Sequence, residues 1–396
     1  MGSKGTALFL ALNITGAAVL LAIAPEEAAT LAGRLAPIFL FVTAMSVVVN
    51  ISTQVGVFDA MTAALERLAP ASPSRRRPVL WVGLILLSIV VTVFLSLDTT
   101  VILLTPLAVA VARRNGLNVV AVSFAVVWIA NLASLPLPVS NLTNLLALNS
   151  QVFSTGTEYT KKVLLPATVA AAVAVLAAWA VYMRMHVPHK AEVSVGLSRD
   201  GKDPLLVAGL VTLAILLPAL TSPIPYWLSS TVAAGMLLIL SALRRPTLVS
   251  PQLIPWSSLL LAGGLSTTAT VVNILGGAEL GRMLLGGAEH SAAGLVALAA
   301  AGAVTSNLIN NIPAFLALEP AVTTSAGYLA LLIGVNAGPI VTPWASLATL
   351  LWHNQLLRAG VVVRWRTYVV AGIVLVPFAV LLPTGALILQ VMSTTA

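Results

Sequence analysis

The segment WIANLASLPLPVSNLTNLLALN, residues 128–149, decides how the chain is read. It begins as an apolar helix. It then places Pro136 and Pro138 where the middle of a bilayer would fall, and Ser140, Asn141, Thr143 and Asn144 follow at once. Proline removes a helical hydrogen bond and clashes with the turn before it. At lipid depth such a break is tolerated only where protein buries it or a wet cavity lies beside it. The stretch therefore predicts a broken transmembrane helix whose amides, hydroxyls and freed backbone groups face an interior site.

The rest of the chain supplies the bundle. Of 396 residues, 59% are hydrophobic and 8% charged, where a soluble domain carries roughly 25% charged residues. Apolar runs of about 20 residues recur along the whole length, each able to cross a bilayer. The fold class is an all-α polytopic membrane protein of the plasma membrane, with the lipid bilayer as its surroundings; the alternating short strands of a barrel are missing. The net charge of +8 sits in short loops and sets orientation, so no nucleic-acid partner is expected. There are no cysteines, which excludes disulfides and thiolate metal sites. No phosphate-binding loop, dinucleotide fingerprint or zinc-protease motif occurs, so no cofactor, metal or enzyme activity is expected. His186 and His189 lie in a polar loop and read as surface residues. Lys4, an apolar run and Ala22-Ile23-Ala24 imitate a signal peptide, but the run is long for one and reads as an uncleaved first helix.

Full crossings are expected near 6–24, 35–55, 118–150 (broken), 163–183, 204–220, 226–243, 256–275, 328–356 (broken) and 367–390. The stretches 79–112 and 291–325 each carry a polar centre and read as re-entrant hairpins. The amphipathic stretch 56–68 reads as an interfacial helix. This layout puts the N-terminus in the cytoplasm. Of the 20 Lys and Arg, all but Arg34, Lys161, Lys162 and Arg282 then face the cytoplasm, as the positive-inside bias requires.

The halves resemble each other. Residues 129–148 overlay 334–353 with a constant offset of 205, so Asn131 meets Asn336 and Pro138 meets Pro343. SLDTTVILLTP (96–106) corresponds roughly to INNIPAFLALEP (309–320), and residues 36–50 loosely match 254–268. The paired segments cross in opposite directions, which is an inverted-topology repeat with its site at the midplane. The halves are 1–183 and 204–396, joined by a polar cytoplasmic linker, 184–203.

Four polar centres interrupt the lipid-depth segments: 96–100, 131–144, 306–311 and 336–349. Hydroxyls and amides can act there as interhelical glue, but proline beside a polar cluster in both halves points to a binding site. Asp98, with Thr99 and Thr100, falls at the expected tip of the first hairpin. A charge at that depth is costly, and no Lys or Arg lies in the four centres. Asp98 can exchange a proton or bind a cation; the alternative is that it caps the helix that follows. Glu319, before Pro320, is the second deep acid and the second candidate for proton coupling.

ASLPLPVSNLTN (133–144), LDTTVILLTP (97–106), SNLINNIPA (306–314) and TPWASLATLLW (342–352) together resemble the arsenite/antimonite efflux permeases, the ArsB family of the ion transporter superfamily. The resemblance covers roughly residues 35–360. It implies a scaffold and a transport domain, the latter holding the two hairpins and both broken helices. It also implies proton-coupled export of neutral arsenite and antimonite hydroxides by an elevator-type antiporter, a possible cytoplasmic ATPase subunit as partner, and a possible homodimer. Ser140, Asn141, Thr143 and Asn144 match its first motif; Ser306, Asn307, Asn310, Asn311, Ser346 and Thr349 match the second half. With Asn131 and Asn336 these are the expected substrate-binding residues. Family members often carry acids at the places of Asn131 and Asn336, a glycine at Ala345 and a lysine at Ile340, which shifts the weight of coupling onto Asp98. The alternatives are a sodium-coupled carboxylate or inorganic anion symporter of the same superfamily, and a membrane anchor for an ATPase.

Overall fold

A computed structural model describes residues 3–150, 152–185 and 203–395, and every regular element among them is helical. The chain opens with α1 (Ser3–Ile23) and α2 (Pro25–Gln54). Pro25 sits in the first turn of α2, where its missing N–H costs nothing, and Glu26 and Glu27 there complement the helix dipole. Gly56, at φ 90°, turns the chain into α3 (Val57–Leu68). That helix buries Val57, Phe58 and Thr62 and exposes Asp59, as the amphipathic pattern expects.

Next come α4 (Pro73–Leu95) and α5 (Leu97–Asn115), which reverse direction at Ser96. The arms are longer than the expected 79–112. The opening stretch folds as α6 (Val119–Leu132) and α7 (Leu142–Leu148), parted by an irregular segment holding one 3-10 turn, Pro138–Ser140. The first half closes with α8 (Gly156–Arg184). Most of the expected linker, including His186 and His189, lies outside the described residues.

The second half begins with α9 (Pro204–Ala219), α10 (Tyr226–Arg244) and α11 (Trp256–Val272). A π turn with Gly276 at φ 112° leads on into α12 (Ala278–Leu285). Then follow α13 (Ala292–Ile309) and α14 (Asn311–Leu318), α15 (Ser325–Ala337) and α16 (Leu347–Arg358), and α17 (Trp365–Thr395).

Among the described residues, seven helices are long and apolar enough to cross a bilayer, and the protein is a multi-pass membrane protein. Two of the seven, Ser74–Leu95 and Ala292–Ile309, are arms of the expected hairpins. Length and composition alone therefore do not separate an arm from a crossing. Val119–Leu132 and Ser325–Ala337 are too short to cross, because each stops at its break.

The helices fall into two groups. In one, α1 packs on α11 and α2 on α10; in the other, α13 packs on α15, α8 on α17, and α5 on α6 and α16. The groups meet where α2 touches α7 and α11 touches α14. Helices α6 and α15 are apolar all round and buried over nearly their whole length, which is where such helices belong. Small residues let α13 and α15 approach closely: a Cβ on Gly334 would meet the carbonyl of Ala299.

The arginines at the far ends of these helices are fixed by carbonyls and amides. Arg76 Nε donates to Asn115 Oδ1 at 2.7 Å, and Arg113 Nη2 to the Ala359 carbonyl at 2.9 Å. Arg114 pairs with Glu66 at 3.1 Å. Cations suit the C-terminal ends of α5 and α16, where unpaired carbonyls gather.

Candidate functional site

A cavity of about 250 Å³ lies between the two groups of helices. Its walls are α2 and α11 on one side and four helix starts on the other. Leu97, Leu142, Asn311 and Leu347, the first residues of α5, α7, α14 and α16, all line it. Four helix N-termini therefore border one space, and a helix N-terminus favours an oxygen carrying negative charge.

The turns that make these starts are matched. Ser96 (φ 88°, ψ 159°) and Asn310 (φ 84°, ψ 154°) hold the same backbone shape at the ends of α4 and α13. They are the two non-glycine residues of positive φ among the described residues. That region is close to glycine-only and costs of order 1–3 kcal/mol for a residue with a side chain. Each side chain offsets part of the cost by capping the next helix. Ser96 Oγ accepts from the Thr99 N–H at 3.4 Å, and Asn310 Oδ1 from the Ile312 N–H at 3.3 Å. The reversal thus falls at Ser96, and Thr99 and Thr100 stand in the first turn of the returning helix. Thr99 lines the cavity, while Thr100 is buried and bonded to Thr92 at 2.9 Å.

Each turn docks on the neighbouring helix break. Ser140 Oγ donates to the Val93 carbonyl at 2.6 Å near the end of α4. In the second half Asn307 Oδ1 accepts from the N–H groups of Val341 and Thr342 at 3.2 and 2.9 Å, while its Nδ2 donates to the Gly338 carbonyl at 2.8 Å. Asn310 Nδ2 reaches the Trp344 carbonyl at 2.9 Å, and the Asn311 N–H reaches that of Ala345 at 2.9 Å.

Asp98 is the single charged residue lining the cavity. It is half-buried, and no ion pair or hydrogen bond holds its side chain among the described residues. Ser96, not Asp98, is the cap of α5. Glu319 stands elsewhere. It is buried at the end of α14 and pairs with Arg34 of α2 at 2.7 Å.

Of the expected binding residues, Asn141, Asn311 and Ser346 line the cavity. Ser346 Oγ is buried there with no partner among the described residues, although the residue stands at the start of α16. The others hold the frame. Asn336 lies in the core, where its Oδ1 accepts from Asn141 Nδ2 at 3.0 Å and Thr143 Oγ1 at 2.6 Å and its Nδ2 donates to Asn144 Oδ1 at 2.7 Å. Asn144 Nδ2 in turn donates to the carbonyls of Ser134 and Leu137 at 2.7 and 3.0 Å. Thr349 bonds to the Tyr368 hydroxyl at 3.1 Å, and Ser306 to the Ala303 carbonyl at 3.0 Å. Asn131 donates to the Val127 carbonyl at 2.8 Å, and its buried Oδ1 has no partner among the described residues. The cavity also takes Ser46, Asn50, Gln252 and Ser258, which the sequence reading did not single out. Their signal was present: Ser46, Asn50 and Ser258 fall in the loosely matching stretches 36–50 and 254–268.

A multi-pass helical bundle with an interior cavity ringed by helix starts, set between two helix groups, defines a membrane transporter. The chain belongs to the citrate transporter (CitMHS) family, whose pattern matches residues 6–349. It is 28% identical over 344 residues to the arsenical pump membrane protein of Escherichia coli K12, covering 81% of this chain and 79% of that one. It is 29% identical over 345 residues to the arsenical pump membrane protein of Yersinia enterocolitica, with the same coverage of 81% and 79%. The fold is that of the Alcanivorax borkumensis YdaH transporter, whose crystal structure is described as having an unusual topology: the TM-score is 0.59 over 98% of both chains at 18% identity.

Proposed function

We propose that the protein is a secondary transporter that exports trivalent arsenite and antimonite, as neutral hydroxides, in exchange for protons. The observation that carries this reading is the cavity's charge inventory. Among the described residues, one carboxylate, Asp98, and no cationic side chain line it. A hydroxyl-rich neutral solute suits such a space: its O–H groups donate to Asp98, Asn141 and Ser346, and its oxygens accept from amides and helix starts. A polyanion meets the repulsion of Asp98. The arsenical pump relatives support the same substrate class.

The mechanism follows from differential affinity, since a ligand shifts a conformational balance only by binding one state better. With its proton lost, Asp98 accepts hydrogen bonds from the bound hydroxide. Protonation from the opposite face neutralises the carboxylate, turns one of its oxygens into a donor and so weakens its hold on the solute, which is released. The matched turns at Ser96 and Asn310 and the matched breaks after α6 and α15 support an inverted repeat, with two re-entrant hairpins as the moving parts. The group holding both hairpins and both broken helices is the transport domain; α1, α2 and α9 to α12 form the scaffold. The basic ends of α5 and α16 favour a cytoplasmic N-terminus.

A carboxylate substrate is the second reading. The citrate transporter family and the four converging helix starts favour it. Uptake of radiolabelled arsenite into everted vesicles separates the two. Export by antiport requires uptake driven by a proton gradient, competed by antimonite and indifferent to sodium. Sodium-driven citrate uptake with no arsenite flux would overturn it.

A further inference from the structure

A second cavity, of about 530 Å³, lies further along the same four elements. On α2 it begins at Arg34, five residues before Phe39 of the first cavity; on α14 it begins at Leu316, four residues after Ile312. Thr270 of α11 and Asn149 after α7 line it as Ala262 and Leu145 line the first. The two spaces are thus one to two helical turns apart, about 6–12 Å. Leu35, Ile38, Leu146 and Phe315 fill the interval and are all buried. The two cavities are separate spaces lined by the same four elements, with these buried apolar residues between their linings along each helix.

Among the residues lining the second cavity, an ion pair joins the two helix groups. Arg34 Nη2 of α2 meets Glu319 Oε1, after α14, at 2.7 Å. Tyr328 donates to the same oxygen at 3.3 Å, and Arg34 Nη2 also reaches the Leu146 carbonyl at 3.3 Å. Arg34 Nε is buried with no partner among the described residues. Glu27 lines the same cavity two turns before Arg34, on the same face of α2.

We propose that the second cavity is the far mouth of the translocation path and that Arg34–Glu319 is its gate, a role that rests on the transport reading above. Alternating access needs a contact made in one state and absent from the other. This pair has that property by position, since its partners ride on the two groups that must move past each other. It is also built to part. Both residues line a cavity that also takes Glu27, Thr30, Asn149 and Asn273, so polar groups and water can receive them on separation, and Glu27 offers Arg34 a second carboxylate on its own helix. An ion pair that served only as a staple would need neither.

The test uses the chain's lack of native cysteines. Ser258→Cys places one thiol in the first cavity, and a membrane-impermeant maleimide probes it from either face of oriented vesicles, with no solute required. With Arg34 and Glu319 intact, labelling comes from the face carrying Asn50 and Gln252. Arg34→Glu sets two carboxylates against each other. It is expected to raise labelling from the opposite face at least fivefold while near-face labelling shows that the protein is folded. The charge-reversed double variant, Arg34→Glu with Glu319→Arg, restores one-sided labelling. Equal labelling patterns in wild type, single and double variants would overturn the gate. Failure of arsenite transport with the expected labelling would overturn only the substrate.

Discussion

Asn336 Nδ2 donates to Asn144 Oδ1 at 2.7 Å, and Asn144 cannot turn to become the donor, because its own Nδ2 already serves two carbonyls. The direction of the bond is therefore fixed by the frame. Asn336→Asp keeps the shape but sets a carboxylate oxygen against a carbonyl oxygen. The cost is that of a buried acceptor without a donor, about 1–3 kcal/mol, expected as a lowered melting temperature of purified protein in detergent. An unchanged melting curve would mean that Asn144 is free to rotate.

Asp98 gives the opposite expectation. Among the described residues its side chain holds no hydrogen-bond or ion-pair partner, so Asp98→Asn removes no such contact and should melt at or above the wild-type temperature. The same variant should lose gradient-driven arsenite uptake. A residue whose removal stabilises the fold and abolishes activity follows the usual conflict between stability and function. Full transport by Asp98→Asn would take Asp98 out of the mechanism.

The turn at Ser96 offers a graded series. Ser96→Gly relieves the positive φ of 88° and gives up a cap that glycine replaces at a cost of only tenths of a kcal/mol. It should be neutral to about 1 kcal/mol stabilising. Ser96→Val, branched at Cβ, should destabilise by about 1–3 kcal/mol. Thermal unfolding of both variants checks the order; equal melting points would contradict the strained turn.

Gly334 tests the close approach of α13 and α15. Its missing Cβ makes room for the Ala299 carbonyl. Gly334→Ala should therefore cost about 1–3 kcal/mol through overpacking, although alanine is the better helix former. A variant more stable than wild type would show that the helices part easily.

Much of the architecture was legible before any coordinates. Prolines beside amides marked both breaks, and the offset of 205 paired them. The direction of each side chain was not. A helical period cannot be carried across an irregular segment, so Asn141, which faces the cavity, looked the same as Asn144, which faces the frame. The reversal at Ser96 carried no glycine to announce it, and it lies two residues before Asp98. Arg34 and Glu319 are 285 residues apart, and neither stretch hints at the other.

The clasp on Asn336 also bears on the order of assembly. Synthesis makes the first half first, and its break is already tied internally, by Ser140 to Val93 and by Asn144 to Ser134 and Leu137. What it lacks is a partner for the Thr143 hydroxyl and the Asn144 carbonyl oxygen. Asn336 arrives 192 residues after Asn144 to supply both. Among the described residues no such hold is placed on Asn131 from the second half, where its side-chain oxygen finds no partner. The earlier half is thus a template that waits, and insertion of α15 is the step that commits the pair.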